Sequence, residues 1–144
     1  MGFSTLMLAN HATITDGLVN VLSGGVNRLH RGSFPAPMQV HLVAIIDLPA
    51  GYAGEELEFT VTVLSDDRRD IFARFDGLFA TQLHESAPEK GNTAPVLLDL
   101  SGVLLPREGA FIIEAQLKGE EARELHFSVV KPEFLEVPNV GQPV

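Results

Sequence analysis

The chain contains no cysteine and no tryptophan, and its single tyrosine is Tyr52. Without thiols it can form no disulfide, hold no metal through thiolate and use no cysteine nucleophile. The aromatic platforms on which sugars stack are missing as well. Long apolar runs are equally absent. The richest stretch, Val40 to Ile46, is short and broken by His41, whereas crossing a bilayer as a helix takes about 20 apolar residues, so no membrane span is expected. Basic residues are scarce, ten Lys and Arg against nineteen Asp and Glu for a net charge of −9. Binding a polyanion requires clustered cations that displace its counterions, and nucleic acid is therefore not an expected partner. The first basic residue, Arg28, lies well past Leu6-Met7-Leu8-Ala9. A secretory signal would place its basic region first, so the start reads as mature protein and a cytoplasmic location is expected.

What is present suffices for one folded core. The chain has 144 residues, 45% of them apolar, enough to bury a hydrophobic interior without metals or staples. Its charge is uneven. Up to Ile46 the only carboxylate is Asp16, set against Arg28 and Arg31, and the remaining acids all lie beyond. One region of the surface should be far less negative than the rest.

Two-residue periodicity recurs from end to end. In Leu57-Glu58-Phe59-Thr60-Val61-Thr62-Val63 apolar and polar residues alternate without a break, the signature of a half-buried strand. Phe111, Ile113, Ala115 and Leu117 share a face, and Leu125, Phe127 and Val129 repeat the pattern after Lys118-Gly119-Glu120-Glu121, predicting a C-terminal hairpin. Val40, Leu42, Ala44 and Ile46 alternate with Gln39, His41 and Val43, while Val96 to Leu100 suits a strand covered on both sides. At the N-terminus, Thr5 to Thr15 runs into Asp16-Gly17, a pair suited to tight turns, and Leu18 to Leu22 should return as its partner. Ser23-Gly24-Gly25 breaks the chain again before a short strand, Val26 to His30. The prolines of Phe34-Pro35-Ala36-Pro37 cannot donate to a ladder. Ile71, Phe75, Phe79 and Leu83 stand four apart, a helical spacing, but Ile71, Ala73 and Phe75 also share a strand face and Gly77 interrupts any helix. Strand is the expected state there.

Several constellations could carry chemistry. The histidines at 11, 30, 41, 84 and 126 show no spacing that aims two imidazoles at one ion, and His41 and His126 fall on the solvent faces of their strands. Asp66, Asp67, Asp70 and Asp76 cluster as calcium-binding loops do, yet Arg68, Arg69 and Arg74 are interleaved with them. A solvated turn with local ion pairs is the favoured reading. No G-x-S-x-G turn, P-loop or dinucleotide fingerprint occurs. Arg28-Leu29-His30-Arg31 is a small basic cluster in an acidic chain. It could meet an anionic partner or another copy, or it could be an edge strand guarded by charge.

The opening from Ala9-Asn10-His11-Ala12 through Asp16-Gly17-Leu18-Val19-Asn20-Val21 to Gly24-Gly25, the proline-bearing entry at Phe34 to Pro37, and the closing hairpin from Gly109-Ala110-Phe111 to Phe127-Ser128-Val129-Val130 resemble a family of uncharacterised bacterial proteins defined only as a domain of unknown function. The resemblance spans nearly the whole chain. It implies bacterial origin and a compact β-sandwich, and it transfers no functional residue.

The expected fold is therefore all-β, a two-layer antiparallel sandwich of Greek-key or jelly-roll-like topology with eight or nine strands over residues 1–131, followed by an extended, proline-containing tail over 132–144. The expected role is non-enzymatic binding of protein, either a partner or another copy, with Arg28, His30, Arg31, Phe134 and Leu135 as contact residues. No cofactor is expected. The rival readings are a small-ligand or metal-dependent enzyme on a jelly-roll-like scaffold, which needs the histidines to converge, and a calcium-dependent binding module built on the Asp66 to Asp76 cluster.

Overall fold

The computed structural model describes residues 1–50, 52, 56–80 and 92–132. Within them the fold is all-β. The strands are β1 (Gly2–Thr15), β2 (Leu18–Gly24), β3 (Arg28–His30), β4 (Ala36–Pro37), β5 (His41–Leu48), β6 (Glu56–Ser65), β7 (Ile71–Ala80), β8 (Asn92–Asp99), β9 (Leu104–Leu105), β10 (Gly109–Leu117) and β11 (Arg123–Val130). Eleven strands stand where eight or nine were expected. The excess is in the two-residue pieces β4 and β9; the short strand expected over Val26 to His30 is β3. β4 carries Pro37, which offers no backbone N–H, and its pairing with β9 stops after two residues.

The strands form a four-stranded sheet in the order β2-β1-β5-β8, a five-stranded sheet in the order β3-β11-β10-β6-β7, and the β4-β9 pair. All pairings are antiparallel except β3 with β11. The predicted N-terminal hairpin forms with Thr15 opposite Leu18. Asp16 and Gly17 both take positive φ, 53° and 75°, the backbone that a two-residue hairpin turn with the right strand twist requires. The C-terminal hairpin pairs Phe111 with Phe127 and Ile113 with Leu125. The segment with competing periods is strand β7, opposite β6 with Phe59 facing Gly77; residues 81–83 of that segment lie outside the described residues.

One core joins the two large sheets. Leu8 and Leu42 from the four-stranded sheet meet Val61, Val63, Phe111, Ile113 and Phe127 from the five-stranded one, with Met38, Val40, Leu100 and Leu105 closing the end. The Phe111 ring stacks on Phe127 at 5.5 Å and meets Phe72 edge-on at 5.5 Å. The alternation of β5 delivers Leu42, Ala44 and Ile46 to the interior as expected. Val43, on the other side of β5, is also fully buried, because Ala9, Ala12, Met7, Val19 and Leu97 gather around it. The outer side of the four-stranded sheet thus carries an apolar cluster of its own. It accounts for the apolar run in β8, where Val96 and Leu98 face the shared core while Leu97 serves the outer cluster.

Candidate functional site

The N-terminal hairpin presents the most unusual surface. Ile14, Leu18, Val21 and Leu22 are all exposed, Leu18 at 71% and Leu22 at 64%. β2 pairs with β1 on one side only, so among the described residues its other edge is open. Unpaired strand edges are templates for strand addition, and proteins usually block them with charge, proline or bulges. From Leu18 to Gly24, β2 has neither charge nor proline. The other outermost strands of the two large sheets are guarded: Arg28 and His30 on β3, Arg74 and Asp76 on β7, Pro95 and Asp99 on β8.

The basic cluster sits on β3, the edge of the five-stranded sheet beside β11. Leu29 is buried between exposed Arg28 and His30. Arg31 turns back into the fold. Its guanidinium donates Nε to the Pro37 carbonyl at 3.0 Å and Nη1 to the His30 carbonyl at 2.7 Å, and Nη2 donates to the Met38 carbonyl. Three carbonyls hold it, which gives Arg31 a structural task at the entry to β5. Phe134 and Leu135, with the tail that carries them, lie outside the described residues, as does His84.

Two histidines meet. The rings of His11 on β1 and His41 on β5 contact edge to face at 5.0 Å, and His41 Nε2 lies 3.9 Å from Asp99 Oδ1. The register explains this, since Ala9 faces His41, which in turn faces Asp99 across the sheet. The strand alternation predicts a solvent-facing His41. Its side chain is only 16% exposed, because His11 and the neighbouring strands cover it, and its Nδ1 is buried without a hydrogen-bond partner. Asp99 titrates below the ordinary carboxylate range, chiefly because Ser101 donates to it from side chain and backbone, the latter at 2.8 Å, with a smaller contribution from the two histidines. Among the described residues no three His, Asp or Glu side chains converge as a metal group.

The acidic cluster does not converge either. Asp67 accepts from the Ser65 hydroxyl at 2.6 Å and the Arg69 N–H at 3.0 Å, which hold its carboxyl below the usual range. Asp76 lies well along β7, bonded to Thr60 at 2.9 Å and to Arg74; these bonds lower its pKa too, that of Thr60 first. A turn satisfied from within, an ion pair along β7 and a cross-strand hydrogen bond from Thr60 replace a calcium loop. An open groove of about 690 Å³ runs along Thr60, Gly77 and Gln116 on the five-stranded sheet. Its lining mixes acid, amide and one lysine with no focus of charge.

Sequence reasoning missed the exposed β2 edge and the meeting of His11 with His41. The first was legible in an uncharged, proline-free strand between two glycine turns. The second needed the β1–β5 register, which no local pattern supplies. No helix among the described residues is long and apolar enough to cross a membrane.

Comparison with known proteins adds family but no activity. No curated protein matches the chain. Among solved structures, the Pseudomonas fluorescens alkylpurine DNA glycosylase AlkC bound to DNA containing an abasic site analog aligns at 11% identity and a TM-score of 0.39, covering 86% of this chain and 30% of that one. Residues 4–130 match the model of a family of unknown function, DUF6941, and the chain belongs to that family.

Proposed function

We propose that the protein is a bacterial, non-enzymatic binding module whose two large sheets stack as a sandwich and whose N-terminal hairpin engages protein through the open edge of β2. The observation that carries this reading is the edge itself: an uncharged strand with exposed Leu18, Val21 and Leu22, where the other outermost strands of the two large sheets, β3, β7 and β8, bear charge or proline. Strand addition draws its affinity from main-chain hydrogen bonds and its specificity from the flanking side chains. Arg28 and His30 form a second, weaker candidate contact on the opposite sheet, where charge on an edge also guards against pairing.

The test compares wild type with Val21→Lys. A lysine there must lose hydration to join an interface. Its association, measured as mass in solution and as proteins captured from a bacterial lysate, should weaken at least about tenfold, equivalent to about 1.4 kcal/mol. Identical masses and identical captured proteins for both would end the edge-binding reading.

A further inference from the structure

We infer that the occupant of the β2 edge is β2 of a second copy, paired antiparallel about a two-fold axis through Asn20. This deepens the reading of β2 as a binding edge and rests on it. The strand reads Leu18-Val19-Asn20-Val21-Leu22, the same in both directions. Antiparallel pairing about a dyad sets each residue opposite its mirror position. Leu18 then meets the partner's Leu22, Val19 meets the partner's Val21, and Asn20 meets the partner's Asn20. Every apolar residue faces an apolar residue of its own kind, and the one polar residue meets itself.

The hydrogen-bond directions agree. Across the turn at Asp16-Gly17, Leu18 returns its N–H to Thr15, which faces it in the register. Backbone groups alternate in direction along a strand, so Leu18, Asn20 and Leu22 point theirs at β1 while Val19 and Val21 point theirs outward. A dyad at Asn20 pairs Val19 with the partner's Val21, and those are the residues whose N–H and C=O groups are free to exchange bonds. Asn20 then forms a non-hydrogen-bonded pair, the type in which side chains approach most closely.

Charge favours a second copy over a cationic partner. Two chains of net charge −9 repel everywhere except where the charge vanishes, and up to Ile46 the only carboxylate is Asp16, offset by Arg28 and Arg31. A cationic protein would be drawn instead to the acidic remainder. Pairing two copies at β2 would join two four-stranded sheets into one continuous sheet. It would also cover Leu18, Val21 and Leu22, apolar side chains left exposed among the described residues of one copy.

The absence of cysteine makes the geometry directly readable. At a non-hydrogen-bonded pair the Cα atoms lie about 4.5 Å apart, within the roughly 4.4–6.8 Å that a disulfide spans. In Asn20→Cys two thiols meet on the axis. In Leu18→Cys they stand about 13 Å apart along the paired strands. Under mild oxidation Asn20→Cys should give covalent dimer at least about tenfold faster than Leu18→Cys, since only its geometry permits the bond. Because Asn20 also donates to the Thr15 hydroxyl at 3.2 Å, a second measurement leaves it in place: an equimolar mixture of Leu18→Cys and Leu22→Cys should cross-link where neither does alone. Wild-type mass should rise from one copy to two between micromolar and millimolar protein. A monomer throughout that range, or equal rates for Asn20→Cys and Leu18→Cys, overturns the self-pairing. Should the monomer still capture another protein in a manner that Val21→Lys abolishes, self-pairing fails while β2 remains a binding edge.

Discussion

The two large sheets share a core but treat their outward surfaces in opposite ways. On the five-stranded sheet, Glu114 and Glu124 stand directly opposite each other, and Arg68 reaches over from the β6–β7 turn to bind both, the Glu114 contact at 2.8 Å. Lys118 joins Glu58 at 2.9 Å, and Arg74 and Asp76 line the edge. On the four-stranded sheet, the outer side holds the Val43 cluster and the edge strand β2 holds no charge at all. A charged edge must be desolvated before another strand can pair with it; an uncharged one need not be. The contrast teaches that the near-neutral opening of the chain leaves one sheet edge, β2, able to leave water, while Asp47 and Asp99 keep charge on β5 and β8 of the same sheet.

The largest break in this comparison is expected at Gly77, on the charged edge strand. It faces Phe59 across β6 and β7, and a Cβ at Gly77 would stand 2.6 Å from Phe59 Cζ. The Phe59 ring packs against two core clusters, so it cannot withdraw without moving both. Gly77→Ala should cost about 1–3 kcal/mol, as overpacking does, even though alanine suits a strand better than glycine. Thermal unfolding should show Tm lower by several degrees, and adding Phe59→Leu should recover part of the loss. An unchanged or higher Tm for Gly77→Ala would show that the ring has room to move.

A smaller break lies at Arg68. Removing it leaves Glu114 and Glu124 facing each other uncompensated, and like charges opposite one another in a ladder destabilise it. These side chains are partly exposed, 44% for Arg68 and 30% and 38% for the glutamates, so water and salt screen them. Arg68→Ala should cost about 1 kcal/mol at low salt. The deficit should shrink on adding salt and should largely vanish when Glu124→Gln is combined with it. A deficit that ignores both would mean that Arg68 matters through the turn it occupies, where its φ is 65°, rather than through its charge.

Much of this was legible in local pattern. The alternation of Leu57 to Val63, the turn at Asp16-Gly17 and the C-terminal hairpin each follow from side-chain period or glycine chemistry, which act over a few residues. Gly77 was legible only as an obstacle to a helix; that it makes room for Phe59 depends on a cross-strand register. Arg68 and its two glutamates lie 46 and 56 positions apart in the chain, and His11 and His41 thirty. No local period encodes such pairs, because register between distant strands is set by the whole hydrophobic pattern together with the connections. The strand count failed for a related reason: two-residue bridges such as β4 and β9 exist only through their partners.

Acid should reveal the smallest effect. The carboxyls of Asp67 and Asp76, both on the five-stranded sheet and its turn, are lowered from 3.8 by hydrogen bonds, first from Ser65 and first from Thr60 respectively. Folded values below the unfolded value mean that each carboxylate favours the folded chain above about pH 4, and the contribution is lost as pH falls through the folded pKa. Asp99 adds the same sign from the end of β8 through its bonds with Ser101. The urea midpoint should therefore hold steady from neutrality to about pH 4 and fall below it. In Asp67→Asn with Asp76→Asn that fall should be shallower, leaving mainly the Asp99 contribution on the four-stranded sheet. Because all three groups face solvent, the change in slope should be modest. A double variant that falls as steeply as wild type would assign acid sensitivity to the four-stranded sheet, and the division of charge between the two surfaces would then not govern stability in acid.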